Sequence, residues 1–285
     1  MRVYTLQNDY RAGLEPNAAT PANLYGLADF DVQYWDGAQW SLIPSPGNAT
    51  LTGVAAIAPN DVWAVGYYEL YNTATTFTMH WDGSQWNVVP SPNPNGNANF
   101  SINRLNAVVA KSSTEVYAVG GGWAVEEQSP FALKWDGSQW NVISVPQVGN
   151  TGELYDVEVT SDGSIWAVGV HAQYPSTALI LRDWVQVTQH PAAPNYVNLR
   201  GLTAISPTDI WAVGDYNSGG YNNGISWHWD GTRWSSVQVP GNQRVYLWDV
   251  AAVAANDLWA VGHRGIPTQL LVLRYPDPTC ASPTP

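Results

Sequence analysis

Four hexapeptides each place an aspartate between two tryptophans: WDGAQW at 35–40, WDGSQW at 81–86 and again at 135–140, and WDGTRW at 229–234. Indole faces stack on the C–H faces of sugars and a carboxylate accepts hydrogen bonds from hydroxyls, so these residue types could form a glycan subsite. The same residues also make turns. Gly accepts positive φ, and an Asp carboxylate takes hydrogen bonds from the N–H groups of its own turn. Which chemistry holds depends on the elements around the motif.

Other chemistry-bearing residues are tested by spacing. DYNSGGYNNG at 215–224 puts Asp215, Asn217 and Gly220 at the first, third and sixth places of a calcium loop, but Ser226 stands at the twelfth where a Glu is needed. His171 and His263 follow a repeated Gly in separate units, with no third ligand nearby, so no zinc site is expected. The single cysteine, Cys280, rules out an internal disulfide and reads as a free thiol in a polar tail. No nucleophile elbow, P-loop or dinucleotide fingerprint occurs, so no catalytic residue, metal or cofactor is expected.

Composition narrows the partners. Of the 285 residues only 12% are charged, the formal net charge is -12, and Lys occurs only at Lys111 and Lys134. Such a surface repels nucleic acid and anionic lipid, which excludes a nucleic-acid partner. No apolar run approaches the length of a membrane span, and MRVYTLQNDY carries no apolar stretch of signal-peptide length. Richness in Trp, Tyr, Asn, Gly, Pro and Thr, with little Lys or Glu, suggests an extracellular or cell-surface bacterial β-protein.

The elements that position these residues repeat. DVWAVG at 61, EVYAVG at 115, SIWAVG at 164, DIWAVG at 209 and DLWAVG at 257 recur roughly every fifty residues, a propeller period. Each is preceded by L-x-small-V (LTGV at 51, LNAV at 105, LYDV at 154, LRGL at 199, LWDV at 247) and followed by an apolar stretch that mostly runs into WDG. This order gives four short strands per period, with no helical pattern. The expected fold is therefore all-β, a six-bladed β-propeller of four-stranded antiparallel blades. Approximate blades are 1–46, 47–98, 99–147, 148–194, 195–241 and 242–277, followed by a Pro/Thr-rich tail at 278–285. The first and last blades are irregular: NLYGLA at 23–28 fills the DVWAVG place, Tyr275 and Asp277 fill those of Trp and Asp, and RVYTLQ near the start is either a first strand or a closing strand.

The D-G-x-x-W arrangement resembles the Asp-box of sialidase-type propellers, although Asp and Gly are adjacent here, as in Asp82-Gly83. That resemblance implies a structural turn away from any active site. It also implies, as an alternative activity, a glycoside hydrolase with a central arginine cluster, for which Arg104, Arg200 and Arg244 are the candidates. The tandem VWAVG repeats with a Pro/Thr tail are similar to secreted or surface-attached proteins of environmental bacteria.

Function is expected where the blades differ. The turns between strands one and two are uniform, whereas the loops between strands two and three vary. That rim carries Tyr67, Tyr68, Tyr71, Trp123, His171, Tyr174, Asp215, Tyr216, Asn217, Tyr221 and His263, the expected ligand-binding residues. Aromatics flanked by amides and carboxylates suit a glycan or a protein partner, with self-association or a structural role in a surface fibre as the alternative.

Overall fold

The computed structural model describes residues 24–28, 31–36, 38–97, 100–124, 127–146, 152–171, 175–191, 196–241, 244–265 and 268–275. RVYTLQ, Tyr174, Cys280 and the 278–285 tail lie outside the described residues, and of Trp123 only the backbone is described. The strand pairing between named strands is all antiparallel and, apart from one contact between the third and fourth meanders, consecutive, in meanders. The first meander comprises β1 (Leu24–Ala28), β2 (Asp31–Trp35) and β3 (Trp40–Ile43). The second has β4 (Thr50–Ala58), β5 (Asp61–Leu70), β6 (Thr73–Trp81) and β7 (Trp86–Val88).

The third meander, β8 (Arg104–Ser112), β9 (Glu115–Ala124), β10 (Glu127–Trp135) and β11 (Trp140–Ile143), merges with the fourth into one eight-stranded sheet. The fourth is β12 (Gly152–Val159), β13 (Ile165–His171), β14 (Thr177–Arg182) and β15 (Val185–Gln186), and the two join at the single pair Glu153 and Gly121. The fifth is β16 (Val197–Ser206), β17 (Asp209–Ser218), β18 (Tyr221–Trp229) and β19 (Trp234–Val237); the sixth is β20 (Val245–Ala254), β21 (Asp257–Arg264) and β22 (Gln269–Tyr275). No helix occurs among the described residues. In the first meander Tyr25 pairs with Tyr34 as Trp63 pairs with His80, so NLYGLA sits in the ladder position of DVWAVG.

The two recurring phrases form one local device. In L-x-small-V the register shifts between Leu51 and Gly53, Leu105 and Ala107, Leu154 and Asp156, Leu199 and Gly201, and Leu247 and Asp249, so x is a bulged residue without a ladder partner. The bulge pushes a strand-one carbonyl into strand two. A Cβ on Gly66 would lie 1.9 Å from the Thr50 oxygen, and one on Gly214 1.9 Å from the Asn198 oxygen. Only glycine admits this approach, which is why AVG ends the phrase.

Packing between meanders is aromatic. Trp63 of the second meets Trp135 and Trp140 of the third, with centroids 4.8 and 5.2 Å away, and Tyr117 of the third meets Trp184 of the fourth at 5.6 Å. Trp166 of the fourth meets Trp229 and Trp234 of the fifth at 5.3 and 5.9 Å, and Trp211 of the fifth meets Tyr275 of the sixth at 4.9 Å. Each strand-two aromatic also takes a cation or imidazole from its own strand three: His80 at 4.7 Å, Lys134 at 5.4 Å, Arg182 at 5.3 Å, His228 at 4.4 Å and Arg274, on Trp259, at 5.0 Å. An acid that opens DVWAVG holds that group, as in Asp61 to His80 at 2.7 Å and Asp257 to Arg274 at 2.7 Å. The five buried apolar clusters each span two successive meanders, so the core is a series of interfaces between them.

WDG is the turn that delivers the second half of this contact. Asp82 Oδ1 accepts from the Ser84 and Gln85 N–H groups at 2.8 and 3.0 Å and from the Ser84 hydroxyl at 2.6 Å, and Asp136 and Asp230 repeat the pattern. Gly83 has φ +95°, and a Cβ there would meet Asn60 Cβ at 2.7 Å, so the turn also packs against the strand one-to-two turn of its own meander. These hydrogen bonds, with the hydroxyl first, hold Asp82 and Asp136 far below 3.8 and lower Asp230 to about 2.

Trp166→Ala should cost about 3–5 kcal/mol in urea denaturation, because it empties an interface between two meanders. Asp82→Ala should lower the urea midpoint at neutral pH. Depressed acids stabilise above 3.8 and lose that contribution as pH falls through their folded pKa, so the gap to the parent should narrow on acidification.

Candidate functional site

The bulged x residues lie on inner strands, and successive inner strands pack together. Their side chains reach the next meander. Thr52 Oγ1 donates to the Leu105 carbonyl at 2.6 Å, and Asn106 Nδ2 donates to the Leu154 carbonyl at 2.8 Å and to Glu153 at 2.9 Å. In the last three meanders x is Tyr155, Arg200 and Trp248, which form one cluster. The Arg200 guanidinium lies 4.4 Å from the Trp248 ring centroid and 5.4 Å from that of Tyr155, while its Nε donates to Asp215 Oδ1 at 2.6 Å.

Asp215, at 0% exposure, is the hub of this cluster; its Oδ2 also accepts from Asn222 at 2.9 Å and Asn198 at 3.3 Å. Trp248 Nε1 donates to His263 Nδ1 at 2.9 Å, and the His263 ring stacks on Tyr246 at 4.5 Å. Burial lowers the His263 pKa below 6.5 against the pull of Asp215, which favours the neutral ring that this hydrogen bond requires. Tyr155 is pushed well above 10.0 by burial and then by the Glu153 charge.

The second part of the site is the edge formed by strand two-to-three turns. Tyr71, 91% exposed, and Asn72 turn β5 into β6, and Tyr68, Leu70, Tyr71, Asn72, Thr73 and Phe100 line most of an open groove of about 470 Å³. Tyr71 has φ +54° and Phe100 φ +69°; Tyr196 and Arg244, which lead into β16 and β20 at the same edge, have φ +65° and +60°. Bulky residues in the left-handed region are strained, and such strain gathers at functional sites.

The sequence-predicted residues divide. Asp215, Asn217 and His263 belong to the hydrogen-bonded network, with Asn217 donating to Asn222 at 2.9 Å. Tyr216 packs against the cluster between the fourth and fifth meanders. Tyr67 and Tyr221 each lie under an arginine, Arg104 at 4.8 Å and Arg244 at 4.7 Å. Tyr68 stands edge-on to Phe77 at 4.7 Å. His171 is buried beside Gln186. Tyr155, Tyr246 and Trp248 were not among the expected binding residues; for Tyr155 and Trp248 a variable x inside an otherwise regular L-x-small-V was a visible signal. Arg104, with both oxygens of Glu69 at 3.0 Å, Arg200 and Arg244 each have their own partners.

On the same inner strands, Asp156 and Asp249 occupy equivalent places on either side of Gly201. Asp156 keeps some accessible surface yet lies deep among the strands, accepting from the Val157 N–H at 2.8 Å and the Leu202 N–H at 2.7 Å. Burial, then Asp249 and Glu158, push its carboxyl well above 3.8.

No family model matches the sequence, and no curated protein matches it. Among solved structures the chain is similar to PorZ, an essential bacterial surface component of the type-IX secretion system of Porphyromonas gingivalis, at 14% identity and TM-score 0.54, covering 94% of this chain and 39% of that one. A protein of unknown function from Dyadobacter fermentans aligns at 12% identity and TM-score 0.52, over 85% of this chain and 81% of that one. YCF48 bound to D1 peptide aligns over 88% of this chain and 87% of that one, at 14% identity and TM-score 0.38. The likeness to PorZ is one of fold, and it is a propeller-type fold.

A raised carboxyl stabilises the fold fully below 3.8 and withdraws that contribution as pH rises through its folded pKa. Urea midpoints measured from about pH 4 to about pH 8 should therefore decline less steeply in Asp156→Asn than in the parent.

Proposed function

We propose that the chain is an extracellular, non-enzymatic interaction protein, a six-bladed propeller whose variable rim binds a protein partner. The observation that carries this reading is the tip formed by Leu70, Tyr71 and Phe100. All three are exposed, they surround a groove, and two of them sit on left-handed backbone. A large apolar side chain held in water by a strained turn does nothing for folding, but it anchors an apolar segment of a partner. The Arg–Tyr pairs at Tyr67 and Tyr221 extend the same edge with residue types common at binding hot spots.

A sialidase-like hydrolase would gather Arg104, Arg200 and Arg244 around one carboxylate. Here they are committed to Glu69, Asp215 and Tyr221 respectively, which supports a binding role instead. A glycan is the second reading. It is favoured by the parallel rings of Tyr246 and Trp248, 6.3 Å apart at 12°, with Arg200 over Trp248 and bonded to Asp215, which also holds the amides of Asn198 and Asn222.

Peptide display and a glycan array would separate the two. Peptides with apolar anchors should be recovered, and Tyr71→Ser with Phe100→Ser should weaken them at least about tenfold while changing stability by less than roughly 1 kcal/mol. Asp82→Ala should leave that binding unchanged. Array hits abolished by Trp248→Ala, with no peptide recovered, would move the site to the inner strands.

A further inference from the structure

Two cations on the variable rim have no acid beside them. Among the described residues every lysine and arginine stands next to a carboxylate except Arg244 and Arg264. Acidic residues outnumber lysine and arginine 23 to 11 in this chain, so acids are not scarce, yet none is placed here.

The two arginines are neighbours. The Gly265 N–H donates to the Arg244 carbonyl at 3.0 Å, and the next ladder pair is Val245 with Arg264. Paired residues share a sheet face, so Arg264 lies on the face of Val245, which packs toward the fifth meander. Arg244, held at φ +60°, lays its guanidinium over the Tyr221 ring of that same meander at 4.7 Å. Two like charges are thus brought to one boundary, one of them by a left-handed backbone that a long side chain adopts only under strain. Asp215, the carboxylate on this part of the fifth meander, does not offset them, since it is buried and its oxygens are taken by Arg200, Asn198 and Asn222.

The second and third meanders show what such an arginine takes. Arg104, at the start of β8, lies over Tyr67 of the preceding meander at 4.8 Å, as Arg244 lies over Tyr221, and its Nη2 donates to both oxygens of Glu69 at 3.0 Å. Glu69 pairs with Ala74 in its ladder, and the same place in the fifth meander is Asn217, paired with Asn222. The fifth meander therefore supplies the ring without the acid. A guanidinium lying on a ring keeps its N–H edge free for a planar carboxylate. Those bonds act at contact, whereas repulsion from the distant acids of a chain of net charge -12 is largely screened beyond about 10 Å at 0.1 M salt.

We infer that Arg244 and Arg264, beside Tyr221, form a seat for a carboxylate side chain of the protein partner, so that the partner carries an aspartate or glutamate besides its apolar anchor. A peptide carboxylate is the occupant because Glu69 shows this arrangement completed by an amino-acid side chain. The inference rests on the protein-binding reading above.

Peptide display on the intact 285-residue chain tests it. Recovered peptides should be enriched in Asp or Glu, and changing that acid to its amide in the tightest binder should weaken it about fivefold or more. The same change should have no effect on the double variant Arg244→Gln with Arg264→Gln, whose urea midpoint should match the parent's. Arg244→Lys should keep only part of the acid's contribution, because an ammonium cannot make the paired bonds. Arg233→Gln, which removes a cation from a WDG turn at the opposite edge, should leave that contribution intact. Peptides without acidic enrichment, or an acid whose contribution persists in the Gln variant, would overturn the seat and leave the protein-binding reading standing. Recovery of no peptide at all would overturn both. Hits confined to uronate-bearing glycans on an array, lost in the Gln variant, would overturn the peptide assignment, since the carboxylate would then come from a sugar.

Discussion

The structure depends on one contact, the strand-two aromatic held between two meanders. Trp63, Tyr117, Trp166 and Trp211 each receive a ring from the following meander and a histidine, lysine or arginine from their own. The indole N–H groups of Trp63, Trp86, Trp140, Trp166 and Trp234 are buried without a hydrogen-bond partner, so these rings are held by area and ring geometry. A single meander could not bury both of its faces, and stability therefore passes from neighbour to neighbour.

The frame sets apart the positions that are free to vary. The bulge removes x from the ladder and aims its side chain across the inner strands, and the AVG glycine makes room for the displaced carbonyl. Thr52 and Asn106 use this place to tie neighbouring strands, whereas Tyr155, Arg200 and Trp248 build a polar and aromatic cluster on the same scaffold. Binding chemistry can thus change at x without touching the contacts that hold the meanders.

Much of this was legible in the residues. Asp-Gly spacing identified the hairpin turns, AVG and L-x-small-V identified strands two and one, and the irregular loops marked the edge where Tyr71 stands exposed. Tyr155 and Trp248 were less legible, because a residue inside a regular strand reads as frame until the bulge is known. The pairing of Tyr67 with Arg104 and of Tyr221 with Arg244 joins residues far apart in sequence, and no local pattern encodes that meeting.

The sequence by itself determined the period, the strands and the turn chemistry, because those rest on φ preferences, alternation and hydrogen bonds within a few residues. The Asp-Gly turn marked WDG as a structural hairpin, but tertiary structure alone decided which surface its tryptophans cover. Its tryptophans do more than cover their own hairpin: in the second, third and fifth meanders they pack into the cluster shared with the preceding meander. That choice lies in how one meander stacks on the next, a long-range packing term that short-range patterns do not contain.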